Sequence, residues 1–259
     1  MRRWFKRVLM IVVLLSPGVA YLVSVVKEAR WNASVTQSKC NIFCHGLACH
    51  YYHDVVDCFP SGTVTDSAES VSERLSWMYS LLPYMEYSEL QKRMDGLRGW
   101  RDAANRKGLN TRLPHAISPL QHMDREYASS GDYVAIGGIG ADAAELPKDH
   151  PRAGVFGYNR RVKIPEIRDG TANTMMFATC DVPTTSMFAG GAETIRCLTQ
   201  KPYFGGPDHL GLPGGRGCQV SLADGSSRRL SPDIDPRILE ALATMNGGEQ
   251  VPSRESDGW

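Results

Sequence analysis

The hydrophobic pattern opens with an uninterrupted apolar run: residues 8–26 carry no charge and follow directly behind Arg2, Arg3, Lys6 and Arg7. At ~1.5 Å per helical residue the run reaches ~28 Å, close to the hydrocarbon thickness of a bilayer. The preceding cations are expected to stay in the cytoplasm, which places everything after Lys27 outside. A cleaved signal peptide shares the basic-then-apolar order. This run is longer than a usual signal core, and no small-x-small site stands between it and Lys27, Glu28 and Arg30, so a retained anchor is the favoured reading. Pro17 predicts a kink and not a break, because lipid penalises unpaired backbone groups more than a helix resents one proline.

The helical pattern continues beyond the run, with no glycine between Gly18 and Gly46 and no proline between Pro17 and Pro60. Ile42, Gly46, Cys49, His53 and Val56 recur at four-three spacing, with Phe43, Leu47 and His50 on the adjoining row. Such a face can pack on a domain, and Phe59-Pro60-Ser61-Gly62 ends it. A second helix is expected from Leu75 to Met94, bent at Pro83, with Glu89 and Arg93 as an i,i+4 pair. Past Gly96 the texture becomes turn-rich, with short β-prone pieces at Tyr133–Ile136, Gly154–Tyr158 and Met175–Ala178. Residues 218–222 alternate, Asp224-Gly225 turns the chain, and a second alternating piece ends at Leu230. A three-residue loop is taken to set Val220 opposite Leu230, and a two-residue loop to set it opposite Arg229. Asp235 as N-cap and Pro236 in the first turn open a last helix from Arg237 to Met245, stopped by Gly247.

The pieces make the fold class α+β: a membrane helix, an adjoining amphipathic helical stretch, an antiparallel sheet with long loops and a short C-terminal helix. Along the chain this divides into a basic cytoplasmic segment (1–7), a transmembrane helix (8–26), an exported domain (27–248) and a flexible tail (249–259). Twenty-nine Lys and Arg against 28 Asp and Glu leave a formal net charge of +1, so no long-range field recruits nucleic acid. Seven cysteines are permissible outside the cytoplasm, and an odd number leaves one unpaired. Cys40 and Cys44 share a helical i,i+4 spacing whose Cβ separation exceeds that of a disulfide.

Three groups of residues resemble one family. Gly46-Leu47-Ala48-Cys49-His50-Tyr51-Tyr52-His53 with Phe59-Pro60, followed by Ser76-Trp77 and Leu81-Leu82-Pro83-Tyr84-Met85-Glu86, forms the first. Gly154-Val155-Phe156-Gly157-Tyr158-Asn159 and Ile167-Arg168-Asp169-Gly170-Thr171-Ala172-Asn173-Thr174-Met175 form the second, and Leu222-Ala223-Asp224-Gly225-Ser226 the third. Together they resemble the planctomycete prepilin-like proteins of unknown function. The resemblance implies a pilin-like or type II secretion pseudopilin-like architecture: a long N-terminal helix, half in the membrane and half packed on a small antiparallel sheet, exposed at the periplasmic or cell-surface side of the inner membrane. It implies no reaction. The bilayer is the expected partner of residues 8–26, and other pilin-like subunits or secretion machinery are further candidates. The chain departs from the family in three places. Of the Gly-Phe-Thr-Leu-x-Glu processing motif only Phe5 remains; the usual His ten residues before the terminal Asp-Gly is Gly214, with His209 five residues further back; and Ser227 and Arg229 replace hydrophobic residues. The first departure leaves processing and filament assembly open, and the third weakens one sheet face.

Candidate chemistry is sparse. Cys40-x-x-x-Cys44-His45 and Cys44-x-x-x-x-Cys49-His50 are loosened haem-attachment spacings, and Cys44, Cys49 and His53 have residue types suited to zinc. An exported redox or metal carrier built on residues 40–53 is accordingly the alternative to a structural protein. Asp169 and Asn173 carry oxygens suited to Ca²⁺, although a capped turn at Gly170 explains them without an ion. Gly137-Gly138-Ile139-Gly140 lacks the rest of a phosphate loop and reads as a turn between strands. No Gly-x-Ser-x-Gly and no His-Glu-x-x-His is present. The expectation is a non-enzymatic protein with no cofactor.

Overall fold

The computed structural model describes residues 2–121 and 125–249, and of residues 2–17 the backbone alone. One helix, α1 (Arg2–Val56), forms the spine. It ends where Asp57 turns left-handed (φ 60°) while its N–H still bonds the His53 carbonyl, closing the last turn before Phe59 and Pro60. Among the described residues no helix is long and apolar enough to cross a membrane. The side chains of residues 8–17, the kink expected at Pro17 and the tail beyond Glu249 lie outside what is described.

The sheet contains β1 (Tyr133–Ile139), β2 (Met175–Thr179), β3 (Ile195–Leu198), β4 (Cys218–Leu222) and β5 (Ser227–Leu230), in the order β3-β1-β2-β4-β5. It is mostly antiparallel; β3 alone runs parallel to its neighbour β1. Alternation along β1 sends Tyr133 and Ala135 toward α1 and Val134 and Ile136 toward the opposite face, where the C-terminal helix packs through Leu239 and Leu242. Both faces of the sheet are covered, which is why β1 and β2 read as near-continuous apolar runs, whereas β4 alternates and turns its buried Gln219 and Ser221 toward α1.

Several local expectations change. The helix expected over 75–94 is three pieces: α2 (Trp77–Leu81), a 3-10 turn at Leu82–Met85 holding Pro83, and α3 (Ser88–Gln91). Glu86 sits between them at φ 67°, which no helix accommodates. With α3 ending at Gln91, Glu89 pairs with Lys92 at 2.7 Å and not with Arg93. A further short helix, α4, spans Arg106–Leu109. The Gly137-Gly138 segment is no turn: it continues β1 through a bulge. A Cβ on Gly137 would lie 2.7 Å from Cys197 Sγ and one on Gly138 2.1 Å from the Arg152 carbonyl, so these glycines serve close approach of neighbouring chain. Residues 154–158 form no strand; one isolated bridge, Gly138 to Ala153, precedes them. The hairpin takes neither expected register, since Val220 faces Arg228 and Cys218 faces Leu230, with Ser221 opposite Ser227 closing the turn. The last helix, α5 (Pro236–Ala243), is capped by Asp235 accepting from the Arg237 N–H at 2.8 Å, and it stops at extended Thr244, before Met245.

Candidate functional site

The buried residues of α1, among those described, are Ser38, Asn41, Ile42, His45, Gly46, Ala48 and Cys49. Ile42, Gly46 and Cys49 of the expected row are buried, whereas Phe43 and Val56 are exposed. Polar side chains do part of the packing. Ser38 hydroxyl bonds with the Tyr133 phenol (3.1 Å), Asn41 donates to the Ile117 carbonyl (2.9 Å), and Gln219 of β4 donates to the Val35 carbonyl (2.7 Å). At Gly46 the helix comes so close to β4 that a Cβ would lie 2.3 Å from Ser221 Oγ.

His45 is wholly buried among the rings of Trp77, Tyr133 and Phe177, with centroids 5.2–5.7 Å away. Neither ring nitrogen has a hydrogen-bond partner. Burial pushes its pKa down to about 3, the nearby His115 adds to the shift, and the Asn41 backbone opposes it. The imidazole is neutral at physiological pH and works as a polar plug in an aromatic core.

The Cys and His residues proposed as ligands point to separate tasks. Cys49 is buried, Cys44 half-exposed, and the His53 ring packs on Phe59 while its Nε2 accepts from the Ile164 N–H at 3.4 Å. Burial raises the pKa of both thiols and keeps them in the protonated form that neither metals nor electrophiles prefer. All seven cysteines are free. Among the described residues no three His, Cys, Asp or Glu side chains gather as a metal site.

The signature segments instead meet as a structural corner. The Asp169 carboxylate accepts the N–H groups of Gly247 (2.8 Å) and Gly248 (3.0 Å), and its own N–H bonds the Met245 carbonyl. Asn173 donates to the Asp169 carbonyl (3.2 Å) and Thr174 to that of Gly170 (3.1 Å), with Gly170 at φ 91°. Both side chains proposed for Ca²⁺ are thus engaged with backbone. The hairpin turn docks on the same corner: Asp224 N–H bonds the Thr171 carbonyl and Ala223 N–H that of Thr174. Gly225 (φ 81°) faces the His50 ring of α1, 3.4 Å from where a Cβ would stand.

The Gly154–Asn159 signature lies beside β1. Gly154 leaves room for the Ala243 carbonyl, Phe156 joins Trp77 and Phe177, and Asn159 accepts from Arg74 (2.8 Å). Tyr158 borders a cavity of about 560 Å³ together with Leu146, Lys148, Arg160 and Arg161. Arg160, which sequence reasoning overlooked, is buried there and donates to the carbonyls of Gly137, Ala143, Leu146 and Phe156. Burial lowers its pKa to about 10, so it remains charged at neutral pH. The other cations of the cavity are also occupied, Lys148 with Glu166 and Arg161 with Thr65.

A second cavity, at the foot of the domain, was also missed. Trp31 on α1 lies beneath Arg216, whose guanidinium sits 4.2 Å from the ring centre. The legible signal was a tryptophan five residues past an apolar run.

A search of curated proteins finds no match, and neither does a search of solved structures. One family does match, over residues 28–203, which takes in α1 from just past its apolar run, the 154–174 signatures and the first three strands. The chain belongs to that family, described as a protein of unknown function, DUF1559.

Proposed function

We propose that this is a single-pass, pilin-like membrane protein whose exported domain serves a structural or interaction role outside the inner membrane, without catalysis or cofactor. The observation that carries the reading is an apolar band on the spine. On α1, Val19, Tyr21, Leu22, Val23, Val25 and Val26 are exposed, while the same helix supports the core from Ser38 onward. Exposed apolar surface of this extent needs a cover, and an apolar run that follows four cations has the bilayer as the natural one. The signature residues support the structural role, since their polar groups join spine, hairpin and C-terminus. Protease treatment of spheroplasts tests the topology: cleavage should fall after Lys27 and none before Arg7. A C-terminal half protected in the cytoplasm would sink it. Intact-mass measurement of the membrane-purified chain then reports processing and any attached group.

A further inference from the structure

At the foot of the domain α1 and two loops enclose a groove of about 520 Å³. Lys27, Arg30 and Trp31 enter it from α1, Arg216 from the glycine-rich loop, and Leu120 with Pro119 from the segment leading out of the core. The groove is lined by three cations and no carboxylate. Among the described residues none of the three forms an ion pair. The Arg216 guanidinium is held over the Trp31 ring, 4.2 Å from its centre, by an attraction that uses the ring face and leaves the N–H groups for an anion. Pro119, Leu120 and the indole supply an apolar wall, which a small hydrated anion does not need and a lipid does.

The position of the groove along α1 selects the ligand. Counting ~1.5 Å per residue from Val26, Lys27, Arg30 and Trp31 stand ~1.5, ~6 and ~7.5 Å beyond the apolar run. The headgroup layer on one side of a bilayer is ~5–8 Å deep, the difference between total and hydrocarbon thickness. Tryptophan is enriched at that level, and lysine and arginine there meet lipid phosphates. We infer that this groove binds the phosphate of an anionic membrane phospholipid, with Arg216, Arg30 and Lys27 donating and Trp31 seated at headgroup depth. The inference rests on the anchored reading above. It adds that the domain is seated against the membrane at a fixed height and does not swing freely from its anchor.

Native mass spectrometry of the full chain in mild detergent tests it, with short-chain phosphatidylglycerol, phosphatidylcholine of the same chains, and inorganic phosphate as probes. The expected result is a one-to-one phosphatidylglycerol adduct at least tenfold tighter than the phosphatidylcholine one. Arg216→Gln and Arg30→Gln should each weaken it at least fivefold, whereas Arg161→Gln at the other cavity leaves it unchanged. Unchanged melting temperatures of the exposed-site variants keep the comparison interpretable. Equal binding of the two lipids, wild-type affinity in both groove variants, or inorganic phosphate saturating the protein as readily as phosphatidylglycerol would overturn the inference. The same spectra weigh the chain: loss of the residues before Lys27 would refute the anchor while leaving the groove result readable, because every groove residue lies at Lys27 or beyond.

Discussion

His45 and Arg160 show how single buried polar groups set the behaviour of this core. The His45 imidazole has a pKa near 6.5 when unfolded and about 3 when folded, so between these values the unfolded chain holds the extra proton. Stability from this residue is therefore complete above pH 6.5 and lost as pH falls toward 3. The slope reaches about 1.4 kcal/mol per pH unit, the limit for one proton. In denaturant melts at pH 4, 5 and 6, His45→Leu should remove that component of the slope; parallel slopes for variant and wild type would mean that the imidazole is hydrated or paired. Arg160 acts in the opposite sense, as a donor to four backbone carbonyls, of which those of Gly137 and Ala143 also accept the Gly154 and Leu146 N–H groups and those of Leu146 and Phe156 depend on the guanidinium. Arg160→Met is expected to cost about 2–5 kcal/mol by leaving the Leu146 and Phe156 carbonyls unpaired. Arg160→Lys should recover only part of this, because an ammonium cannot span the four acceptors as a planar fork does. Equilibrium unfolding of the three proteins decides it.

The elements follow from where backbone can approach backbone. The long helix, β2, the 218–222 strand and the capped final helix were legible because hydrophobic period, caps and turn residues agree there. The broken helix at 77–91 and the 137–138 bulge were not, since propensity sees neither the left-handed Glu86 nor the neighbours that crowd Gly137 and Gly138. β3 escaped because a four-residue strand with half-exposed Arg196 and Cys197 has no apolar alternation. Close approach also makes the spine testable. Gly46→Ala should stabilise an isolated helix by about 1 kcal/mol, yet here it is expected to lower stability by about 1–3 kcal/mol through collision with Ser221. Ser221→Gly should relieve most of that loss in the double variant, since Ser221 Oγ is buried with no hydrogen-bond partner. Additive losses would place the clash elsewhere. At the signature corner, Asp169→Ala removes the acceptor of two N–H groups and should cost about 1–3 kcal/mol, with faster amide exchange at Gly247 and Gly248. Calcium should leave the wild-type melting temperature unchanged; a rise would restore the ion-binding reading of Asp169 and Asn173.

For the whole molecule, the spine divides by what covers it. Sequence revealed the apolar run and the signatures but not that polar Ser38, Asn41 and His45 face the core, because amphipathic counting assigns such residues to solvent. It also could not show that Arg216, far away in sequence, returns to Trp31, since a glycine-rich loop carries no periodic signal. The division has a direct consequence. On α1, Ser38 is the first buried side chain among those described, and the apolar residues from Val19 to Val26 add nothing to the core. A chain of residues 27–259 should therefore keep its sheet, the packing on both sheet faces and the groove. It is expected to be monodisperse without detergent and to melt within about 3 °C of the full chain, a shift worth about 1 kcal/mol or less for a domain of this size. The full chain should instead partition into detergent or membranes. Matched melts and size-exclusion profiles of the two proteins check this. If the shorter chain unfolds or aggregates, residues before Lys27 belong to the folded domain and are not a membrane handle; if both are equally soluble, the apolar band has a protein cover and the anchor is lost.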